Sequence, residues 1–310
     1  MTKETEIKNL KTYMRSLGTD AQAATKTLRL ASGKTRQNVI LAMAKHVRDT
    51  STVIMTANQK DMKAGHAKGL SPAMLDRLLL DSTRVENIAR GLEAVAALPD
   101  PIGAQDAQWT QPNGLQIAKV RTPIGVIGMI YESRPNVTAD AASLCIKSAN
   151  ACILRGGSEA VHSNQAIHSA LVRGLIDAGL PKTCVQYVAT TDRAAVGEML
   201  SGLDAAIDLI IPRGGKSLVA RVQKDARVPV LAHLEGRNHT YIHADASPDM
   251  ARDIILNAKM RRTGICGSTE TLILDQGSAQ YLPMLAEALD AAGCALRGDS
   301  AAQALSDKIT

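Results

Sequence analysis

The sequence predicts an α/β protein: a helical lead-in, then a parallel sheet covered on both faces, then a second α/β domain that is begun but incomplete. Three observations predict it. Residues 1–98 carry apolar side chains at helical spacing and no strand pattern. From Gly125 onward, short apolar runs alternate with helix-length segments, as parallel sheets with crossover helices require. Beyond residue 257 one strand and one clear helix remain, too little to complete another sheet. Residues 1–257 are therefore expected to form the first domain and 258–310 the start of the second.

In the lead-in, Val39, Ile40, Met43 and Val47 recur at helical spacing, as do Val85, Ile88, Leu92 and Val95. Gly18, Gly65, Gly69, Pro72 and the Pro99-Asp100-Pro101 break punctuate the helices. Around Trp109–Arg121 the pattern turns to β, with Pro112-Asn113-Gly114 as the turn and Leu115, Ile117 and Val120 beside it. Val126–Tyr131 is a continuous apolar run, as in a strand buried on both faces. A helix over 137–149, a strand Ala151–Arg155 and a helix near 159–178 ended by Gly179 come next. Val185–Val188, Ile207–Ile211 and Val228–Leu231 supply further strands, with helices near 193–201 and 215–224. Helix 248–260, strand 270–274 and helix 279–292 complete the pattern. Ligands of such sheets bind beyond the carboxyl ends of the strands.

The composition is 45% hydrophobic, ample for a sizeable core. No N-terminal stretch suits a signal peptide and no run approaches membrane-spanning length. Five cysteines without framework spacing point to a reducing compartment, and a cytoplasmic location is expected. The net charge of +6 is spread along the chain. With one Trp and five Tyr, stacking aromatics are too few for a nucleic-acid surface, so a cleft for anionic ligands fits better. Phe is absent altogether, which should weaken core packing before it touches chemistry. Tyr131 and Leu231 stand in strand-like runs where large side chains would pack.

Four segments carry chemistry. In Arg261-Arg262-Thr263-Gly264-Ile265-Cys266-Gly267-Ser268, one cysteine sits in a glycine-rich turn after cationic residues. Lys259, Arg261 and Arg262 would favour its thiolate, the reactive form. The plain alternative is a small hydrophobe in a turn. In Arg155-Gly156-Gly157-Ser158, a strand end meets a helix start, where amides suit a phosphate or ribose. Arg213-Gly214-Gly215-Lys216-Ser217 is a second such turn. It is no P-loop, because position 210 is Ile, but a helix start with two glycines suits a pyrophosphate. Asn136, after Arg134-Pro135, is either a helix N-cap or an amide donor to an oxyanion. Glu235 is a candidate general base. His233, His239 and His243 lack the companions of a metal set, and no metal is expected. Cys145, Cys152, Cys184 and Cys294 read as core.

In this order, the segments around Asn136, Arg155, Arg213 and Cys266 resemble the gamma-glutamyl phosphate reductase family of the aldehyde dehydrogenase superfamily. The likeness runs from about the first helix to the last residue. It implies an aldehyde-dehydrogenase-like fold with a Rossmann-type sheet, in which residues 1–257 bind the dinucleotide. It also implies NADPH-dependent reduction of glutamate 5-phosphate to glutamate 5-semialdehyde in proline biosynthesis, through a thioester on Cys266 with Asn136 as oxyanion donor. Thr138 would then be the helix cap. By the same resemblance Arg155, Gly157, Ser158, Arg213, Gly214, Gly215, Lys216 and Ser217 contact the cofactor. Ser158 beside Arg155 favours NADP over NAD. Lys259, Arg261 and Arg262 are candidates for substrate anions.

Glu235 would be accessory in a reductase but the base in an aldehyde-oxidising relative, the first rival reading. The second is a fragment that only binds cofactor, because family members continue beyond residue 310 and the chain resembles a C-terminally truncated member. Arg237 and Asn238 depart from the family pattern. The hairpin at about 107–121 would join subunits of a homo-oligomer, and the upstream glutamate kinase is a candidate partner.

Overall fold

Polar caps start most of the lead-in helices. In this computed structural model, which describes residues 9–233, 236–263 and 265–310, Asn9 accepts the Thr12 N–H at 3.0 Å to open α1 (Leu10–Leu30). Ser32 does the same for α2 (Gly33–Asp49), and α3 (Ser51–Ala67) follows almost without a break. Ser71 caps α4 (Pro72–Leu78) and Asp81 caps α5 (Ser82–Ala97). Each such oxygen satisfies an amide that the first helical turn leaves unpaired. Val39, Ile40, Met43 and Val47 are fully buried, as are Val85 and Leu92, in line with the spacing of the sequence.

Next come β1 (Gln105–Thr110) and β2 (Gln116–Val120), an antiparallel hairpin closed by Gly114 at φ +86°. Trp109, Leu115 and Val120 are exposed on it. The main sheet is built from β3 (Val126–Tyr131), β4 (Ala151–Arg155), β5 (Val185–Tyr187) and β6 (Leu209–Arg213). Its order is β5-β4-β3-β6 and all pairs are parallel. Connecting them are α6 (Val137–Lys147), α7 (Val161–Asp177) and α8 (Ala194–Leu200), and α9 (Lys216–Asp225) leaves β6. The order reverses between β3 and β6, which places a crevice at the carboxyl ends of these strands.

The expected strand Val228–Leu231 is reduced to one bridge, Ile210 with Val230. The Ile210 N–H donates to the Pro229 carbonyl and the Leu231 N–H donates to the Ile210 carbonyl, both at 2.9 Å. Pro229 itself has no N–H to extend a ladder, so the segment stays at an edge. Leu231 is exposed there, whereas Tyr131 is fully buried with its hydroxyl 2.7 Å from Thr138 Oγ1.

The chain forms two compact units divided after His233. The sequence placed the division at 257/258. The difference arises from β7 (Asn238–Ile242), which pairs in parallel with β8 (Thr269–Leu274), and from α10 (Pro248–Met260). Ala251 and Ile255 of α10 share a small core with Ile242, Leu285 and Leu289, so residues 238–260 belong to the second unit. That unit ends with α11 (Leu282–Ala291) and α12 (Ser300–Leu305). Among the described residues, no helix is long and apolar enough to cross a membrane.

Candidate active site

In the first unit, a cleft of ≈ 310 Å³ opens at the carboxyl ends of β3 and β4 and beside the first turns of α9. Arg155, Gly157 and Ser158 line it from the β4 side and Ser217 from α9, so the structure brings four of the expected cofactor residues together. Arg213, Gly214, Gly215 and Lys216 form the turn just before Ser217 and stand outside the lining.

Arg155 is 8% exposed, and one guanidinium nitrogen donates to the Thr191 carbonyl at 3.3 Å. Its Nε is buried without a partner. Burial pulls the pKa of this guanidinium down, Tyr187 and Glu159 oppose the shift, and the like charges of Arg193 and Arg221 deepen it. Neighbouring side chains crowd two of the glycines. A Cβ at Gly156 would stand 2.1 Å from Asn164 Nδ2, and one at Gly214 would stand 2.5 Å from Glu132 Oε2.

Two carboxylates also border the cleft. Glu132 accepts the Gly215 N–H at 3.0 Å, at the start of α9. Glu159 accepts the Ser133 N–H and, at 3.1 Å, the Ser133 hydroxyl. An anion at the same helix start would meet the amide that Glu132 now holds. The buried guanidinium with a spare donor, the glycine turn and the hydroxyls of Ser158 and Ser217 together fit the adenosine half of a dinucleotide.

Asn136 occupies the capping position of α6 but does not cap it. Its backbone is αR (φ −58°, ψ −27°), and its side chain makes no capping bond. Instead Nδ2 donates to Asp140 Oδ2 at 2.8 Å. Thr138, the expected cap, has its hydroxyl between the Tyr131 hydroxyl and Asn164 Oδ1, to which it donates at 3.1 Å. Burial raises the Asp140 pKa, and the hydrogen bond from Asn136 partly offsets this.

In the second unit, Cys266 is exposed in the turn between α10 and β8. Its backbone carbonyl accepts from Asn238 Nδ2 at 2.5 Å, and Asn238 Nδ2 also reaches the Ser268 carbonyl at 3.0 Å. A Cβ at Gly236 would stand 2.6 Å from the Cys266 carbonyl oxygen, so Gly236 is needed for this approach. Asn238, which looked out of place in sequence, thus fastens the cysteine turn. Arg261 and Arg262 are exposed beside it, while Lys259 pairs with Glu270 at 3.6 Å. Glu235 lies outside the described residues. Among the described residues, no group of three His, Cys, Asp or Glu side chains could hold a metal ion.

Sequence reasoning missed four residues. Arg193 and Arg221 line the cleft, Glu132 holds the Gly215 amide, and Asp140 holds Asn136. Two of them had a visible signal: Ser217 and Arg221, like Asn136 and Asp140, are spaced i,i+4 and share a helix face.

The aldehyde dehydrogenase family matches residues 11–295. A gamma-glutamyl phosphate reductase of Caulobacter vibrioides is 59% identical over 293 residues, covering 94% of this chain and 71% of that protein. One from Parvibaculum lavamentivorans is 54% identical, covering 96% and 70%. The crystal structure of gamma-glutamyl phosphate reductase from Thermotoga maritima superposes with a TM-score of 0.88 at 35% identity, over 94% of this chain and 70% of that one. The fold is thus aldehyde-dehydrogenase-like, and a nicotinamide cofactor belongs with it. By this family match and these relatives, the chain belongs to the aldehyde dehydrogenase family of oxidoreductases, among its gamma-glutamyl phosphate reductases.

Proposed function

We propose that this chain reduces L-glutamate 5-phosphate to L-glutamate 5-semialdehyde with release of phosphate, using NADPH, as a step of proline biosynthesis. The single observation that carries the reading is the exposed Cys266 in a turn held by Asn238, in a chain 59% identical to a gamma-glutamyl phosphate reductase.

Arg155, Gly157, Ser158 and Ser217 would hold the adenosine half of the cofactor, with the turn Arg213-Gly214-Gly215-Lys216 at its phosphates. When bound, NADPH supplies the hydride. The protein does the rest. The Cys266 thiolate bonds to the acyl carbon, and the bond to phosphate breaks as inorganic phosphate leaves. Gly267 beside it leaves room for substrate, because nothing lies within 4 Å of where its Cβ would be. The Asn136 amide donates to the oxygen that gathers negative charge, an interaction worth about 10²–10³ in turnover. Arg261 and Arg262 attract the anionic groups of the substrate, while Lys259 keeps Glu270 as its partner. The carbon–sulfur bond then breaks to release the aldehyde and restore the thiolate. The exposed hairpin of β1 and β2 would join subunits in a homo-oligomer, and glutamate kinase, which makes the labile acyl phosphate, is the natural partner. The unpaired cysteines suit a reducing compartment such as the cytoplasm.

The test runs the reaction in reverse, as reduction of NADP by glutamate semialdehyde with and without inorganic phosphate, beside Cys266→Ala. Activity that requires both phosphate and Cys266 is expected. Phosphate-independent oxidation would instead mark an aldehyde-oxidising enzyme, and activity in Cys266→Ala would remove the thioester.

A further inference from the structure

Three guanidinium groups converge on one cleft in the first unit. Arg155 comes from the end of β4, Arg193 immediately precedes α8, and Arg221 lies one turn beyond Ser217 on α9. We propose that Arg193 and Arg221 complete, with Arg155, a pocket for a phosphomonoester on the adenosine ribose, and that these two arginines set the choice of a phosphorylated over an unphosphorylated dinucleotide. The proposal rests on the reading that this cleft receives the cofactor, and adds to it the residues that discriminate.

The charges on the cleft are poorly matched without a ligand. Arg155 is buried, and its Nε has no partner although a guanidinium offers five N–H donors. Of the two carboxylates present, Glu159 is turned to the Ser133 N–H and hydroxyl, and Glu132 to the Gly215 N–H. Arg221 has Asp225 at 3.6 Å, an exposed pair of little strength. Burial is the main reason the Arg155 pKa is lowered, and the like charges of Arg193 and Arg221 add small contributions in the same direction, behind the opposing ones of Tyr187 and Glu159. Three guanidinium groups and two carboxylates line a space of ≈ 310 Å³, and with both carboxylates engaged by backbone amides the positive excess favours an added anion.

A phosphomonoester supplies what is missing. It carries between one and two negative charges near neutral pH, and its oxygens accept paired bonds from guanidinium groups. A bare ribose hydroxyl brings no charge and leaves the positive excess in place. Ser158 and Ser217 add hydroxyl donors at the same rim. Lysine would serve less well, because its point charge cannot present a planar fork.

The experiment measures binding by calorimetry, with two probes that lack nicotinamide: adenosine 2′,5′-bisphosphate and adenosine 5′-phosphate. The whole chain is compared with Arg193→Ala, Arg221→Ala and the double variant, each checked for native circular dichroism. The expected result is a preference of about tenfold or more for the bisphosphate in the unmodified chain, as charge-assisted bonds to phosphate imply. Each single variant should lose part of that preference and the double variant nearly all, with affinity for the 5′-phosphate little changed. A double variant that keeps the preference overturns the assignment of these arginines while leaving the cofactor cleft intact. Equal binding of both probes by the unmodified chain overturns it as well. Binding of neither probe would bring down the reading of the cleft itself, and the proposal with it.

Discussion

Asn136 Nδ2 donates to Asp140 Oδ2 at 2.8 Å across one turn of α6, so the amide proposed to stabilise an oxyanion is already oriented by a mostly buried carboxylate. One N–H goes to Asp140 and the other remains to be offered. Because burial raises the Asp140 pKa, the native state binds this proton more readily than the unfolded chain does. Stability contributed by this group therefore falls as pH rises from the ordinary carboxylate range through the raised value. Asp140→Asn should unfold at higher temperature than the unmodified chain at neutral pH, and the two melting curves should converge in acid. Melting followed across that range checks the sign. Asp140→Ala, which releases the amide, should lower turnover about tenfold with little change in KM.

The cysteines should separate by reactivity. Cys266 is exposed, whereas Cys145, Cys152 and Cys184 are buried. Burial pushes the Cys184 thiol up to about 12, and Cys152 is raised well above the usual thiol range by its hydrogen bond with Cys145 and by burial. Brief treatment with iodoacetamide followed by peptide mass spectrometry should find Cys266 modified first and the three core cysteines untouched until the protein unfolds. Half-buried Cys294 should fall between them.

Asp61 fastens the lead-in to the sheet domain. Buried on α3, it accepts the Ser163 N–H at 2.7 Å, the Ser163 hydroxyl at 2.6 Å and the His162 N–H at 3.2 Å, all at the start of α7. Asp61→Ala leaves these donors unsatisfied in a dry place. Denaturant titration should show a loss of about 3 kcal/mol. Asp61→Asn should recover part of it.

At Gly174 two helices meet backbone to backbone. A Cβ there would stand 2.5 Å from the Met43 nitrogen and 2.7 Å from its Cα, atoms that cannot rotate away. Gly174→Ala should therefore force α2 and α7 apart at a cost of about 2–3 kcal/mol. The lowered denaturation midpoint should come without any change in the spectrum of the native state.

Local chemistry was the legible part of this fold. Val39, Ile40, Met43 and Val47 announce a helix by their spacing, and the runs Val126–Tyr131 and Ala151–Arg155 announce strands, because each signal lies within a few residues. β7 was not legible. Asn238-His239-Thr240-Tyr241 is polar, and its strand character comes from β8, which is distant in sequence. The Val228–Leu231 run misled in the opposite direction, apolar enough for a strand but held to one bridge at the sheet edge.

The site divides in the same way. Glycine turns and the flanked cysteine stand out as motifs, whereas the placing of Arg193 beside Arg155 exists only once β4 and the segment before α8 are brought together. Asn136 shows why residue type alone is insufficient. A residue well suited to capping takes an αR backbone and turns its amide to Asp140 instead.

The Glu132 carboxylate on the Gly215 N–H makes binding at the start of α9 an exchange of one anion for another. A tethered anion competes at a local concentration fixed by the chain, whatever the solution contains. Dilute, singly charged solutes are therefore poor rivals for that amide. A ligand that grips the cleft at several points can displace the carboxylate, because its other contacts hold it in place while the exchange occurs. The turn thus acts as a filter against lone small anions, set by a side chain that itself need never touch the reacting atoms.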